Sequence, residues 1–213
     1  MFVEQSQRIC SWSEHLVLIV MAYAGLRLGG VLAIRLSHFD VDKMACYVTE
    51  NYKLKRFIKP KFGKTRIVNL PAFLVDELTE YIRHLQKDNL RQGRGAMVEL
   101  LFVDSKEKGL WPFSQRKVQG LVKKVCKAAG LGIRNPHDLR HTYATLLLMA
   151  HQSPGYVQKQ LGHSSISITM DIYCHWIPGE GRQGLEAALG GADFVPNRVR
   201  NSHIFAYMKK RFQ

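Results

Sequence analysis

Apolar positions recur at helical spacing through most of the chain and give way to a strand-like pattern only once. From Ser13 to Arg35, "SEHLVLIVMAYAGLRLGGVLAIR" is apolar enough to predict a buried helix, broken at Gly25–Gly30, with Ser13 as N-cap. The following "ACYVTENYKLKRFIKPKFGKTRIVNL" mixes β-branched, aromatic and basic residues. With turn signals at Asp40–Lys43 and Lys59–Lys64, it predicts an antiparallel sheet of about three strands. Pro71 opens another helix, "AFLVDELTEYIRHLQKDNL"; "RQGRGA" reads as a loop and "LLFV" as a short extended piece. Ser114 can cap a helix running to about Ala129 that Gly130–Gly132 ends. Asn135 and Pro136, an N-cap followed by a proline at the first helical position, introduce "HDLRHTYATLLL". Two short helices follow, "GYVQKQLGH" and "SSISITMDIYCHW", the second capped by Ser164 or Ser165. The pattern weakens beyond Pro178. Residues 179–213 read as a Gly-rich linker followed by either a docking helix or a disordered basic tail. The expected fold is α+β, mostly helical: one domain over residues 1–178 with a small three-stranded antiparallel sheet.

Charge narrows the partner. The 213 residues carry 31 Lys+Arg against 17 Asp+Glu, a formal charge of +14. A basic globular domain most often meets a polyanion, and nucleic acid is the commonest. Cys10, Cys46, Cys126 and Cys174 form neither a CxxC pair nor a Cys/His zinc spacing. They read as reduced thiols of a cytoplasmic protein. The apolar run Leu16–Ala24 is too short to span a bilayer. No carboxylate cluster suits a two-metal nuclease, and no cofactor is expected.

Within "HDLRHTYATLLL", His137 and Arg140 are three residues apart and share a helix face. His141 is expected roughly a third of a turn away and is assigned no catalytic role, nor are Cys174 and His175. Arg140 falls in the first turn, where the helix dipole disfavours a cation. An arginine there makes physical sense if it meets an anion such as a phosphate.

This segment resembles the His-x-x-Arg box of the tyrosine recombinase (phage integrase) family. Three further pieces agree in order. "AYAGLRLGGVLAIRL" is similar to the family's first arginine box and implies that role for Arg27. "LGHSSISITMDIY" is similar to its last box, implying His163 as a phosphate ligand and Tyr173 as the nucleophile. "PKFGKTRIVNLP" resembles the β-hairpin that carries the family's lysine, which is Lys61 in this frame, with Lys64 as the alternative. The resemblance runs from about Ala22 to Tyr173. It implies a catalytic domain that breaks and rejoins double-stranded DNA through a 3′-phosphotyrosyl link, without metal or ATP.

The chemistry suits these residue types. A phenol with a pKa near 10 needs a base to become a nucleophile, a role the resemblance gives to His137. Arg27 and Arg140 can clamp a phosphate through paired hydrogen bonds, joined by His163. Lys61 on a hairpin suits the acid that protonates the leaving oxygen. Lys53, Lys55, Arg56, Lys59, Lys64, Arg66, Arg116 and Lys117 are the candidate backbone contacts. A type IB topoisomerase-like enzyme and a weakened DNA-binding remnant are the competing readings.

The sequence departs from the family in two places. Gly30 stands where the first box usually carries Glu, a carboxylate expected to orient the first arginine. Few residues precede that box, so a separate N-terminal core-binding domain is expected to be absent. DNA binding by this chain alone is then expected to be weak and salt-sensitive. Family members resemble ring-like tetramers on DNA, in which the segment after Tyr173 would dock on a neighbour.

Overall fold

A single helix organises the fold. In the computed structural model the described residues are 1–59, 65–93, 99–104 and 111–176, with side chains through Ile172. Helix α2, Trp12–Ala24, follows helix α1, Phe2–Ile9, and buries every side chain from His15 to Met21. It touches α1, α3 (Leu28–Leu32), α4 (Ala72–Arg91), α5 (Gln115–Ala128) and α6 (Pro136–Met149). Each aliphatic side chain buried this way contributes about 1.5–3 kcal/mol relative to exposure, which is why so apolar a helix takes the centre.

The N-cap of α2 is Ser11, not Ser13. Ser11 Oγ accepts from the Glu14 N–H while Glu14 Oε2 accepts from the Ser11 N–H, a reciprocal capping box. Helix α1 was not anticipated; it rests on α2 and α5, and its Ser6 hydroxyl meets the buried His15 Nδ1 at 2.7 Å. Other helix starts lie where the sequence puts them: Ser114 caps α5, and Asn135 caps α6 with Pro136 in its first turn.

The β-region is larger than expected. Strands β1 (Phe39–Asp40), β2 (Ala45–Val48) and β5 (Arg66–Asn69) form the three-stranded antiparallel sheet, in the order β1-β2-β5. Strands β3 (Asn51–Lys53) and β4 (Arg56–Ile58) make a second, two-stranded hairpin. Its two-residue turn is built from Leu54 and Lys55, both left-handed at φ 51° and 58°. Such turns usually advertise themselves through Gly or Asn, and this one does not. The "LLFV" piece contributes only isolated bridges, Arg35 to Leu100 and Val103 to Pro112.

A second, smaller core joins α6 to α7 (Pro154–Leu161) and α8 (Ile166–Trp176): Tyr143, Ala144, Leu148, Val157 and Leu161, with Leu147 and Ile172 against them. Strand β5 is fastened to α7. The Asn69 N–H donates to Gln160 Oε1 and the Asn69 side-chain amide to the Tyr156 hydroxyl. The predicted tail at 179–213 and the hairpin positions Lys61 and Lys64 lie outside the described residues. Among those described, no helix is long and apolar enough to cross a membrane.

Candidate active site

The seam between the two cores is where the polar residues gather. Helix α2 ends in a left-handed Gly25, at φ 60°. A Cβ there would lie 2.3 Å from the Tyr143 ring and 2.9 Å from Leu161, so only glycine lets α6 and α7 come this close. That approach brings Arg140 between two helix ends. Its Nη1 donates to the Gly25 carbonyl and its Nη2 to the Leu161 carbonyl, each at 2.6 Å. These are the negative ends of α2 and α7, which favour a guanidinium. The remaining N–H groups of the five in the fork are left for another acceptor.

Arg27 is the N-cap residue of α3, and its two Nη atoms reach the Gly162 carbonyl at 3.4 Å. Gly162 is the left-handed cap of α7, and the next residue is His163. The backbone of His163 is held by Gln158, whose carbonyl accepts from the His163 N–H and whose side chain donates to the His163 carbonyl. Two clefts meet at this seam. One, of about 420 Å³, is walled by Arg27–Gly29, by Gln115 and Gln119 on α5, and by the first turn of α6. The other, of about 120 Å³, runs between His141, His163, Leu161 and the Ile168–Ile172 side of α8. Arg27, His137 and Arg140 line both.

Sequence reasoning assigned His141 no catalytic role and pointed it roughly a third of a turn away. His141 lies on the second cleft with its ring edge-on to His137, centroids 4.4 Å apart. The signal was the i, i+4 spacing, which puts both residues on one helix face. Arg66, expected only as a backbone contact, turns inward instead. Its guanidinium packs on Gly162, where a Cβ would lie 2.6 Å from Nη1. Its Nε is buried without a hydrogen-bond partner among the described residues.

Arg27, Arg66 and Arg140 therefore lie within each other's electrostatic reach, and among the described residues none is in an ion pair. Burial, then Arg27 and Arg66, pulls Arg140 down to about 9; burial and Arg27 pull Arg66 to about 10. Both stay charged at neutral pH. The same field acts on the imidazoles. Burial first, then Arg140 and Arg27, takes His163 down to about 4. His137 is lowered by burial, His141 and the two arginines, against an opposing pull from Asp138. Both histidines are neutral at pH 7 beside concentrated positive charge. Charge of this sign, concentrated in one place, suits a bound anion.

The other expected residues divide. Lys53, Lys55, Arg56, Lys59 and Arg116 are exposed. Lys117 is engaged within the protein: its ammonium bonds Asp104 and Glu14 and lies over the Phe113 ring. Gly30 lies in α3. A Cβ there would face Asn51 and Val48 at 3.7 Å, on the strand side of α3, so a side chain would start toward the sheet. Position 173 lies one turn after Thr169 on α8, and its side chain is outside the described residues.

Known proteins share this architecture. The integrase of the Tn1549 transposon, solved in complex with a circular intermediate DNA, superposes with a TM-score of 0.72 at 17% identity, covering 88% of this chain and 62% of that one. The XerH site-specific recombinase bound to palindromic difH substrate gives 0.64 at 26% identity, covering 88% and 49%. In sequence, Transposase A from transposon Tn554 of Staphylococcus aureus is 28% identical over 164 residues, 76% of this chain and 43% of that protein. Tyrosine recombinase XerA of Pyrococcus horikoshii is 28% identical over 175 residues, covering 82% and 54%. The chain thus spans about half the length of the curated relatives it matches. The sequence profile described as the Phage integrase family matches residues 3–178.

Proposed function

The chain belongs to the phage integrase family, and we propose that it breaks and rejoins double-stranded DNA by transesterification, with Tyr173 as nucleophile. One observation carries the reading: Arg27 and Arg140, neither in an ion pair among the described residues, converge with His137 and His163 on one seam. The DNA backbone would supply an anion for this cluster. Its scissile phosphate would bridge the arginines, and each would donate to a non-bridging oxygen. His163 would donate a further hydrogen bond.

The Tyr173 oxygen would attack phosphorus as its proton passes to His137, whose lowered pKa keeps the imidazole free to accept it. The bond from phosphorus to the 5′ oxygen breaks, and the electron pair leaves with that oxygen. Lys61 would return a proton to it. The reverse attack by a 5′-hydroxyl restores the diester and the phenol, so rejoining consumes no ATP. Exposed Lys53, Lys55, Arg56, Lys59 and Arg116 would neutralise flanking phosphates. Tetramer formation on DNA, and action in the cytoplasm, are part of the same proposal. Of the readings weighed from the sequence, recombination is the one supported by the similarity to tyrosine recombinase XerA and to the XerH site-specific recombinase.

The chemistry of the ends tests it. A nicked duplex incubated with the chain in EDTA should yield a free 5′-hydroxyl and a 3′ end that carries protein. Protein-free 3′-hydroxyl and 5′-phosphate ends would point to hydrolysis instead.

A further inference from the structure

A phosphate oxygen only accepts hydrogen bonds, so the way His163 can serve the clamp depends on which ring nitrogen holds its proton. His163 Nδ1 lies 3.0 Å from the hydroxyl of Thr169. Thr169 is completely buried in the first turn of α8. A threonine in a helix often donates back to the carbonyl four residues earlier. Here the hydroxyl has His163 Nδ1 as its hydrogen-bond partner among the described residues. The ring lines the same cleft as Arg27 and Arg140.

Two arrangements fit a neutral ring. Nδ1 could carry the proton and donate to Thr169, leaving Nε2 an acceptor that repels phosphate. Or the Thr169 hydroxyl donates to Nδ1, leaving Nε2 as an N–H donor. Only the second gives the hydroxyl proton an acceptor, and only the second suits an anion. A protonated ring would also donate, but at the cost of adding charge beside three guanidiniums.

We propose that Thr169 is a positioning residue: its hydroxyl donates to His163 Nδ1 and so holds the imidazole in the neutral, Nε2-protonated form that donates to the phosphate. This rests on the proposed DNA chemistry for its purpose, but not for its structural content. Helix α8 then sets both the position of residue 173 and the proton of His163 from one turn of backbone.

The test combines nuclear magnetic resonance and cleavage on the full chain. With histidine labelled by nitrogen-15, and His163→Gln to assign the signal, His163 should show protonated Nε2 and acceptor Nδ1. Thr169→Val removes the hydroxyl at nearly constant volume and should shift the Nδ1 signal. Protein–DNA covalent product on a nicked duplex should form at least about tenfold more slowly in that variant, with DNA affinity unchanged. Thr169→Ser should restore both readouts. Protonated Nδ1 in the unaltered chain overturns the proposal, and so does Thr169→Val cleaving at the unaltered rate. If the unaltered chain forms no covalent product, the DNA reading fails, while the ring-proton measurement on the free chain still decides the role of Thr169. If Thr169→Val does not fold, Thr169→Ala takes its place.

Discussion

The guanidinium of Arg140 bonds the carbonyl of Gly25, 115 residues earlier in the chain, at 2.6 Å. The partner bond to Leu161 closes the same fork, so one side chain ties the ends of α2 and α7 to the start of α6. Lysine keeps the charge but cannot span both carbonyls in the plane of a fork. Arg140→Lys should therefore lower stability by about 1–3 kcal/mol, through unpaired buried carbonyls. It should also slow phosphotyrosyl formation by about 10²–10³, the usual consequence of losing one well-placed donor. Chemical denaturation and single-turnover cleavage measure the two effects separately.

Two glycines of the first arginine box should behave oppositely. Gly25 has positive φ, and a Cβ would strike Tyr143 at 2.3 Å. Gly25→Ala should cost at least about 2 kcal/mol from strain and overpacking together. Gly30 is helical, with its nearest neighbours at ordinary contact distance, 3.7 Å. Gly30→Ala should stabilise by about 0.5–1 kcal/mol through reduced freedom of the unfolded chain. Thermal melts of the pair check both signs.

Much of this was legible in the sequence. Local chemistry ends helices, so Asn135-Pro136, Ser114 and Pro71 mark where α6, α5 and α4 begin. Ser11 and Glu14 were equally legible as a capping box, but the apolar run drew the start inward to Ser13. The β3–β4 hairpin escaped because Leu54 and Lys55 hold a left-handed turn without glycine. Arg66 escaped for a different reason. Its burial depends on β5 docking to α7 through Asn69 and Gln160, 91 residues apart, and no local pattern encodes that.

Arg66 yields a prediction of opposite signs for stability and function. A guanidinium whose buried Nε has no partner among the described residues, beside two other cations, is destabilising in the free protein. Arg66→Met, similar in length and apolar, should raise the melting temperature, by about 1–3 kcal/mol of stability. Its DNA affinity should fall, and the slope of log K against log salt should shrink by about one phosphate contact. A lower melting temperature would mean that the guanidinium is structural.

Stability should also depend on pH through the same field. His163 lies near 4 in the folded chain against an ordinary 6.5, with burial and then Arg140 as causes. Between those values the unfolded chain binds a proton that the folded chain refuses, so stability falls as pH drops through the window. His137 and His15 are lowered too and act in the same direction. Melting temperature should decline from about pH 6.5 toward about pH 4, and His163→Gln should make the decline shallower. An unchanged slope in that variant would remove His163 from the cause.

Metal-free attack by Tyr173 is tested most directly by covalent trapping. The chain and its Tyr173→Phe variant are incubated with nicked duplexes in EDTA, then resolved in SDS. An SDS-resistant protein–DNA band from the unaltered chain that vanishes in Tyr173→Phe is the predicted result. A band of equal strength from Tyr173→Phe would contradict it, because some other residue would then hold the DNA.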